Sequence, residues 1–134
     1  MVTLGLVVAR FNESVTGPMA EAGREAAADA GAEIVETYEI PGVYDAPLAA
    51  DRLARRDDID AVAVLGAIVS GDTKHDEVIA DATAQALTDI SLDRDKPVAF
   101  GVSGPGMSGA EARERVDKGA EAVNAAIEMV EVLA

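Results

Sequence analysis

The chain has 134 residues, of which 49% are hydrophobic but only 3% aromatic, so its core must be built from aliphatic side chains. The absence of cysteine excludes disulfides and thiolate chemistry, and a single histidine argues against a zinc or iron site. The net charge of −14, from 25 acidic and 11 basic residues, argues against nucleic acid and anionic membranes as partners. With no apolar run long enough to cross a bilayer and no basic leader, we expect one cytoplasmic domain covering residues 1–134.

The first half of the chain alternates between strand and helix. An apolar, β-rich run predicts a strand at 2–8, and an alanine-rich segment predicts a helix at 13–30. A second strand is predicted at 33–39 and ends at a Pro-Gly pair. A helix is predicted at 44–56, with Pro47 tolerated only in its first turn.

The second half continues the alternation. A continuous apolar run predicts a strand at 61–69, followed by a helix at 76–92 and a fourth strand at 97–102. The Gly- and Pro-rich residues 103–109 predict a loop, and the segment 110–133 is predicted to be helical.

The type of strand decides the fold class. Continuous rather than alternating apolar strands, separated by helices, indicate a parallel sheet that is covered on both faces. We therefore predict an α/β fold, a three-layer α/β/α sandwich around a four-stranded parallel sheet, with the last helix broken near Gly119. Ligands of such sheets bind beyond the carboxyl ends of the strands.

Three of the four aromatic residues lie at or just after the ends of predicted strands, namely Phe11, Tyr44 and Phe100. In a chain with so few aromatics, this clustering at one edge predicts a pocket in which a flat ring stacks. The alternative is that the three rings plug the end of the sheet.

His75 follows the third strand, at the start of a predicted helix. Its side chain type titrates near neutral pH, which suits acid/base catalysis, and backbone N–H groups at a helix start can hold an anion. Gly71, Asp72 and Thr73 just before it are a candidate phosphate cradle. The residues alone leave two interpretations open: a site of this kind, or a surface histidine behind ordinary helix caps.

A basic cluster stands out near the end of so acidic a chain. Arg113, Arg115 and Lys118 lie on the predicted last helix. They predict an anion clamp, because the planar guanidinium suits phosphate. The alternative is pairing with Glu111 and Glu114 along the helix.

Four strings, in order and over essentially the whole chain, resemble the 6,7-dimethyl-8-ribityllumazine synthase family. They are RFN at 10–12, PGVYDAPLA at 41–49, LGAIVSGDTKH at 65–75 and PVAFGV at 97–102. The Gly-Asp-Thr-x-His string after a strand, together with the Pro-Gly-x-aromatic-acid turn, makes the match specific.

The resemblance implies a flavodoxin-like fold and an enzyme, a transferase of riboflavin biosynthesis. Members of this family condense 5-amino-6-(D-ribitylamino)uracil with 3,4-dihydroxy-2-butanone 4-phosphate to give 6,7-dimethyl-8-ribityllumazine, phosphate and water. The resemblance implies neither a metal nor a cofactor. It implies a homo-oligomer, either a pentamer or a sixty-subunit capsid, with riboflavin synthase as a protein partner.

The resemblance also assigns roles to residues. Phe11 would stack on the pyrimidine ring, and His75 would move protons. Gly71, Asp72 and Thr73 would hold the phosphate of the four-carbon substrate. The other substrate-binding residues would be Asn12, Val43, Tyr44, Asp45, Ile68, Val69 and Lys118, with Phe100 and Arg115 coming from a neighbouring subunit.

Two features depart from the family pattern. Ser70 stands where many members have Arg or Lys, and a short loop before the last helix leaves Arg113 and Arg115 as alternatives for the phosphate contact. Three other proteins of similar architecture are a flavodoxin-type module that binds FMN, a paralogous riboflavin synthase and a catalytically empty shell subunit. The strings that carry the resemblance, and His75 among them, argue against all three.

The excess of carboxylates predicts a protein adapted to a salt-rich cytoplasm. High ionic strength screens the repulsion among these charges, so the fold should gain stability as salt rises. The alternative is an ordinary soluble acidic protein.

Overall fold

The computed structural model describes residues 1–71 and 75–134, along which strands and helices alternate as predicted. The elements are β1 (Thr3–Ala9), α1 (Glu13–Asp29), β2 (Glu33–Ile40), a 3-10 turn (Val43–Asp45), α2 (Ala46–Ala54), β3 (Ala61–Val69), α3 (Asp76–Arg94), β4 (Val98–Met107), α4 (Gly109–Glu114) and α5 (Lys118–Leu133). The third strand has the predicted bounds, and the helix predicted at 44–56 consists of the 3-10 turn and α2.

The four strands form one parallel sheet in the order β2-β1-β3-β4. β1 and β3 occupy the centre and are almost completely buried, which explains why their sequences are continuously apolar. One face packs against α1, α4 and α5, and the other against α2 and α3. The predicted three-layer, flavodoxin-like sandwich is confirmed. Among the described residues, no helix is both long and apolar enough to span a membrane.

The predicted end of the fourth strand is wrong, because β4 runs on to Met107 through the residues predicted as a loop. Ser103 pairs with Ala67, and Met107 pairs with Val69, with a shift of register between the two pairs. Gly104 and Gly106 adopt positive φ angles of 94° and 79°. The Gly-Pro-Gly signal therefore marks an irregularity within a strand, where glycine permits a conformation that other residues disfavour.

The last helix is broken near Gly119 as predicted, at residues 115–117. Gly119 lies in the first turn of α5 and is buried where this helix crosses α1. A Cβ atom at this position would collide with the main-chain carbonyl of Met19. Glycine is thus required here for close helix packing and not for breaking the helix.

Charged pairs lie at the amino edge of the sheet, where the strands begin. Arg56 donates to Asp58 at 2.9 and 2.8 Å and to Glu36 at 3.1 Å. Lys96 Nζ donates to the carbonyl oxygen of Arg56 at 2.7 Å. These bonds connect β2 with the segments that lead into β3 and β4.

The same edge holds a link between α2 and α3. Arg94 Nε donates to Asp51 Oδ1 at 2.9 Å, and Arg55 Nε lies 3.3 Å from the other oxygen of that carboxylate. The hydrogen bond from Arg94 and its charge lower the pKa of Asp51, and Arg56 lowers the pKa of Asp58 in the same way. All four salt bridges among residues 1–71 and 75–134 lie at this edge.

Candidate functional site

At the opposite, carboxyl edge, the ends of β1, β2 and β3 surround an apolar cleft of about 170 Å³. We call it the ring cleft. It is lined by Phe11, Gly42, Val43, Tyr44, Ala67, Ile68 and Ile79. Four predicted site residues, Phe11, Val43, Tyr44 and Ile68, are therefore brought together from three strand ends that are distant in the sequence.

Hydrogen bonds that continue the pairing of β1 with β2 hold Phe11 in place. The Arg10 N–H donates to the Ile40 carbonyl at 2.8 Å, and the Phe11 N–H donates to the Pro41 carbonyl at 3.0 Å. The Phe11 side chain is nevertheless 57% exposed, so the ring lies outside the hydrophobic core. Its backbone is fixed while its ring faces the cleft.

Asn12 follows Phe11 in the left-handed conformation, with φ 70° and ψ 48°. Its Nδ2 donates to the carbonyl oxygen of Ala67 at 3.1 Å, and its own carbonyl accepts from Val15 and Thr16 at the start of α1. Asn12 thus connects the end of β1 both to β3 and to the following helix.

The turn after β2 forms a second wall. Val43 is buried and Tyr44 is 65% exposed. Asp45 Oδ2 accepts from the Gly42 N–H at 3.1 Å, while the Asp45 N–H donates to the Gly42 carbonyl at 3.0 Å. A Cβ at Gly66 would lie 2.6 Å from a methyl group of Val43, so glycine in β3 makes room for this wall.

Side chains at the end of β3 alternate between the two faces of the sheet. Ile68 is buried in the cluster beside α2 and α3 and lines the ring cleft, whereas Val69 packs against the cluster on the other face. The structure therefore brings Ile68, but not Val69, to the ring cleft.

His75 is exposed and immediately precedes α3. Its carbonyl accepts from the N–H of Ile79, a cleft-lining residue, at 2.9 Å. Gly71 has a φ of +91°, and the preceding Ser70 N–H donates to the Met107 carbonyl at 2.7 Å. Two further predicted phosphate ligands, Asp72 and Thr73, lie outside the described residues.

Arg115 and Lys118 lie away from the ring cleft, in a groove of about 590 Å³. This β4–α5 groove is lined by Val102, Ser103, Gly104, Pro105, Met107, Glu114, Arg115, Asp117, Lys118 and Glu121. Its described lining shares no residue with that of the ring cleft. Arg113 lies outside the described lining, which distinguishes it from Arg115.

Phe100 lies in the middle of β4 because the strand extends beyond its predicted end. It pairs in register with Val64, four residues before Ile68 in the adjacent strand. At about 3.3 Å per residue, Phe100 lies on the order of 13 Å below the ring cleft. The expectation that this chain's Phe100 shares an edge with Phe11 and Tyr44 is wrong.

Sequence reasoning missed several lining residues. Ala67 and Ile79 line the ring cleft, and buried Ser103 lines the β4–α5 groove. Ile79 could have been found, since it lies one helical turn after His75. Ala67 and Ser103 carried no comparable signal, because small residues in a strand indicate only close packing.

The comparisons with known proteins cover essentially the full length of the chain. The family model for 6,7-dimethyl-8-ribityllumazine synthase matches residues 1–134. The chain is 73% identical to the 6,7-dimethyl-8-ribityllumazine synthase of Halorubrum lacusprofundi over 133 residues, which cover 99% of each protein. It is 71% identical to that of Halobacterium salinarum, over 99% of this chain and 100% of the relative. For Methanocaldococcus jannaschii the identity is 44%, over 99% and 94%.

The halophile relatives support the prediction of a salt-adapted source. Since the family model and these relatives each span almost all of the sequence, the chain belongs to the 6,7-dimethyl-8-ribityllumazine synthase family.

Proposed function

We propose that the ring cleft binds the uracil substrate with Phe11 stacked on its ring, and that His75 moves protons beside it. As a member of its family, the chain condenses 5-amino-6-(D-ribitylamino)uracil with 3,4-dihydroxy-2-butanone 4-phosphate, in the penultimate step of riboflavin biosynthesis. The product is 6,7-dimethyl-8-ribityllumazine.

The observation that carries this proposal is an exposed Phe11 beside an apolar hollow. Val43 and Ile68 provide buried aliphatic walls, and Tyr44 stands exposed at the rim. A flat heteroaromatic ring entering the cleft would cover the Phe11 face and exclude water from these walls.

The chemistry requires few protein groups. The 5-amino group attacks the ketone, and loss of water gives an imine. A proton then leaves the adjacent carbon, and phosphate departs with the electrons of its C–O bond. This elimination leaves an enol, and return of a proton to its terminal carbon converts the enol to a methyl ketone. The ribitylamino nitrogen closes the ring on this new carbonyl with loss of a second water. His75 is proposed to accept and return these protons.

Alignment of the two substrates is proposed to supply most of the acceleration. Holding two reactants together removes much of the entropic barrier of a bimolecular reaction. General acid–base help from a side chain contributes typically about 10²–10⁴-fold. His75 is thus assigned the smaller share.

The phosphate of the second substrate is proposed to bind at Gly71, Asp72 and Thr73 with Arg115 and Lys118. The β4–α5 groove and the ring cleft have separate linings, which favours an Arg115 supplied by a neighbouring copy of the chain. The position of Phe100 on edge strand β4 favours the same arrangement. Asp45 retains its proposed contact with the ribityl chain, whereas Val69 faces the other side of the sheet and is not assigned to a ring bound in the ring cleft.

A direct test combines catalysis with a fluorescent reporter. Mixing the two purified substrates with the protein should produce the lumazine chromophore. Because the chain has no tryptophan, Phe11→Trp provides one fluorophore in the ring cleft, and Tyr38→Trp in β2 is a matched control. The lumazine product should quench Phe11→Trp strongly. Equal quenching of both variants would contradict the proposed location of the ring.

A second test addresses the shared site. We propose a homopentamer, with a sixty-subunit capsid as the alternative, and light scattering gives the mass in multiples of 13.8 kDa. At substrate concentrations below the raised KM values, co-expressed Phe11→Ala and Arg115→Ala subunits should be more active than either variant alone, since mixed pairs rebuild intact sites. A monomeric mass, or the absence of such complementation, would argue against a site shared between copies.

Riboflavin synthase is the proposed protein partner, because it would consume the lumazine product, and the cytoplasm is the proposed compartment. Co-sedimentation of the two purified proteins at high salt tests the partnership.

A further inference from the structure

We infer that Asn12 is a positioning residue, which holds the Phe11 ring over the ring cleft by tying the end of β1 to the end of β3. The inference rests on the proposed stacking role of Phe11. Its basis is the hydrogen bond from Asn12 Nδ2 to the Ala67 carbonyl at 3.1 Å, which joins residues 55 positions apart.

This bond lies where the pairing of the two strands has ended. The register of β1 with β3 runs from Leu4 and Ala61 to Val8 and Leu65. Beyond that pair, the Asn12 amide provides a link between β1 and β3 at the level of the cleft. It adds a directional bond to the packing of Ala9, Val43 and Ile68, which lie in one buried cluster at this end of the sheet.

Phe11 needs such a link because its ring is mostly outside the core. On one side, its N–H is bonded to the Pro41 carbonyl after β2. On the other side, the neighbouring Asn12 is bonded to Ala67, which lines the cleft together with Phe11. The two bonds fix the backbone on either side of a side chain that packing alone does not hold.

The left-handed backbone at residue 12 makes asparagine suitable and allows a clean test. Glycine and asparagine adopt this conformation more readily than other residues. Asn12→Gly therefore keeps the backbone and the carbonyl that caps α1, but removes the amide. Asn12→Asp keeps the shape but places an oxygen against the Ala67 carbonyl.

The first measurement is steady-state kinetics of both variants with both substrates, after melting curves have established that they fold. A lost side-chain hydrogen bond corresponds to a change of about three- to tenfold. We expect the KM for the uracil substrate to rise by this factor in both variants. The KM for the phosphate substrate and kcat should change by less than about twofold. An equal rise in both KM values would mean general collapse of the site and would overturn the inference.

The decisive measurement adds Asn12→Gly to Phe11→Ala. If Asn12 acts through the ring, its removal has no further effect once the ring is gone. If the increases in the KM for the uracil substrate multiply in the double variant, Asn12 acts independently of Phe11. That result would overturn this inference but not the proposed stacking role of Phe11. A wild-type KM for the uracil in Phe11→Ala itself would overturn the proposed stacking role, and the inference with it.

Discussion

The amino edge of the sheet carries the described charge pairs, whereas the carboxyl edge presents exposed aromatic rings around an apolar hollow. Arg56 and Arg94 each bind carboxylates at the amino edge, and Lys96 is bonded to a main-chain carbonyl. At the carboxyl edge, Phe11 and Tyr44 expose more than half of their surface. Both edges terminate the same four strands, so strand structure alone does not account for the difference.

The difference separates stability from function. Charged groups at the amino edge pair with one another, and no aromatic side chain lines the hollow described there at the start of β2. At the carboxyl edge, exposed aromatic surface is retained although covering it would be favourable, which is typical of a binding site. We therefore expect substitutions at the carboxyl edge to change kinetics more than stability, and those at the amino edge to do the reverse.

The largest effect is expected from His75→Ala. The turnover should fall by up to about 10²–10⁴-fold without being abolished, because the aligned substrates still react. The melting temperature should change far less than turnover, since the side chain is exposed. Glu77→Gln, in the first turn of α3, is a matched control. Wild-type turnover in His75→Ala would exclude this residue from the mechanism.

A smaller and more selective effect is expected from Arg115→Ala. Loss of a charged hydrogen bond to phosphate should raise the KM of the phosphate substrate by about 10- to 100-fold, with little change for the uracil. Arg113→Ala, outside the described lining of the β4–α5 groove, should change neither value. Equal loss for both substrates would instead indicate structural damage.

Salt should change the stability of the whole protein. With a net charge of −14, the melting temperature should rise steeply from dilute buffer to molar salt, as repulsion is screened. Thermal unfolding followed by circular dichroism over a salt series measures this. Full stability in dilute buffer would contradict the prediction of salt adaptation.

The smallest effect is expected from Arg94→Gln at the amino edge. Exposed ion pairs contribute little, so the melting temperature should drop only slightly, and less at molar salt, with kinetics unchanged. A clear loss of activity would contradict the expectation that substitutions at the amino edge change stability more than kinetics.

The same substitution predicts a change in acid stability. The pKa of Asp51 is lowered in the folded state by Arg94, so the pairing stabilises the fold above the unfolded pKa of about 3.9. This stabilisation is lost as pH falls through the lower, folded-state pKa. Arg94→Gln should therefore show a shallower loss of stability below about pH 4 than the wild type. Parallel acid unfolding curves would contradict this assignment.

Most of the fold could be predicted, because strand and helix are local properties. The continuous apolar runs of β1 and β3 indicated buried parallel strands, and Ala61–Val69 was predicted with its observed bounds. The extension of β4 to Met107 could not be predicted in this way. Gly104 and Gly106 are typical of a turn. Only the pairing of Met107 with Val69 of β3 shows that the strand continues beyond them.

The composition of the site was only partly predictable for the same reason. Phe11, Val43, Tyr44 and Ile68 were predicted and converge on the ring cleft. Val69 points to the other face, which follows from alternation along the strand once the direction of Ile68 is known. Phe100 was predicted at the carboxyl edge because β4 was expected to end near it. The strand continues to Met107, so Phe100 lies well before that edge.

The sequence by itself determined the alternating elements, the parallel sheet, the absence of thiol chemistry and the strings that carry the family resemblance. These follow from residue type and from spacing along the chain. Only the tertiary structure decided that Asn12 binds Ala67, that Arg115 and Phe11 lie in separate hollows, and that the charged pairs gather at one edge. Such contacts join residues far apart in the sequence, so they depend on how the layers pack and not on any local pattern.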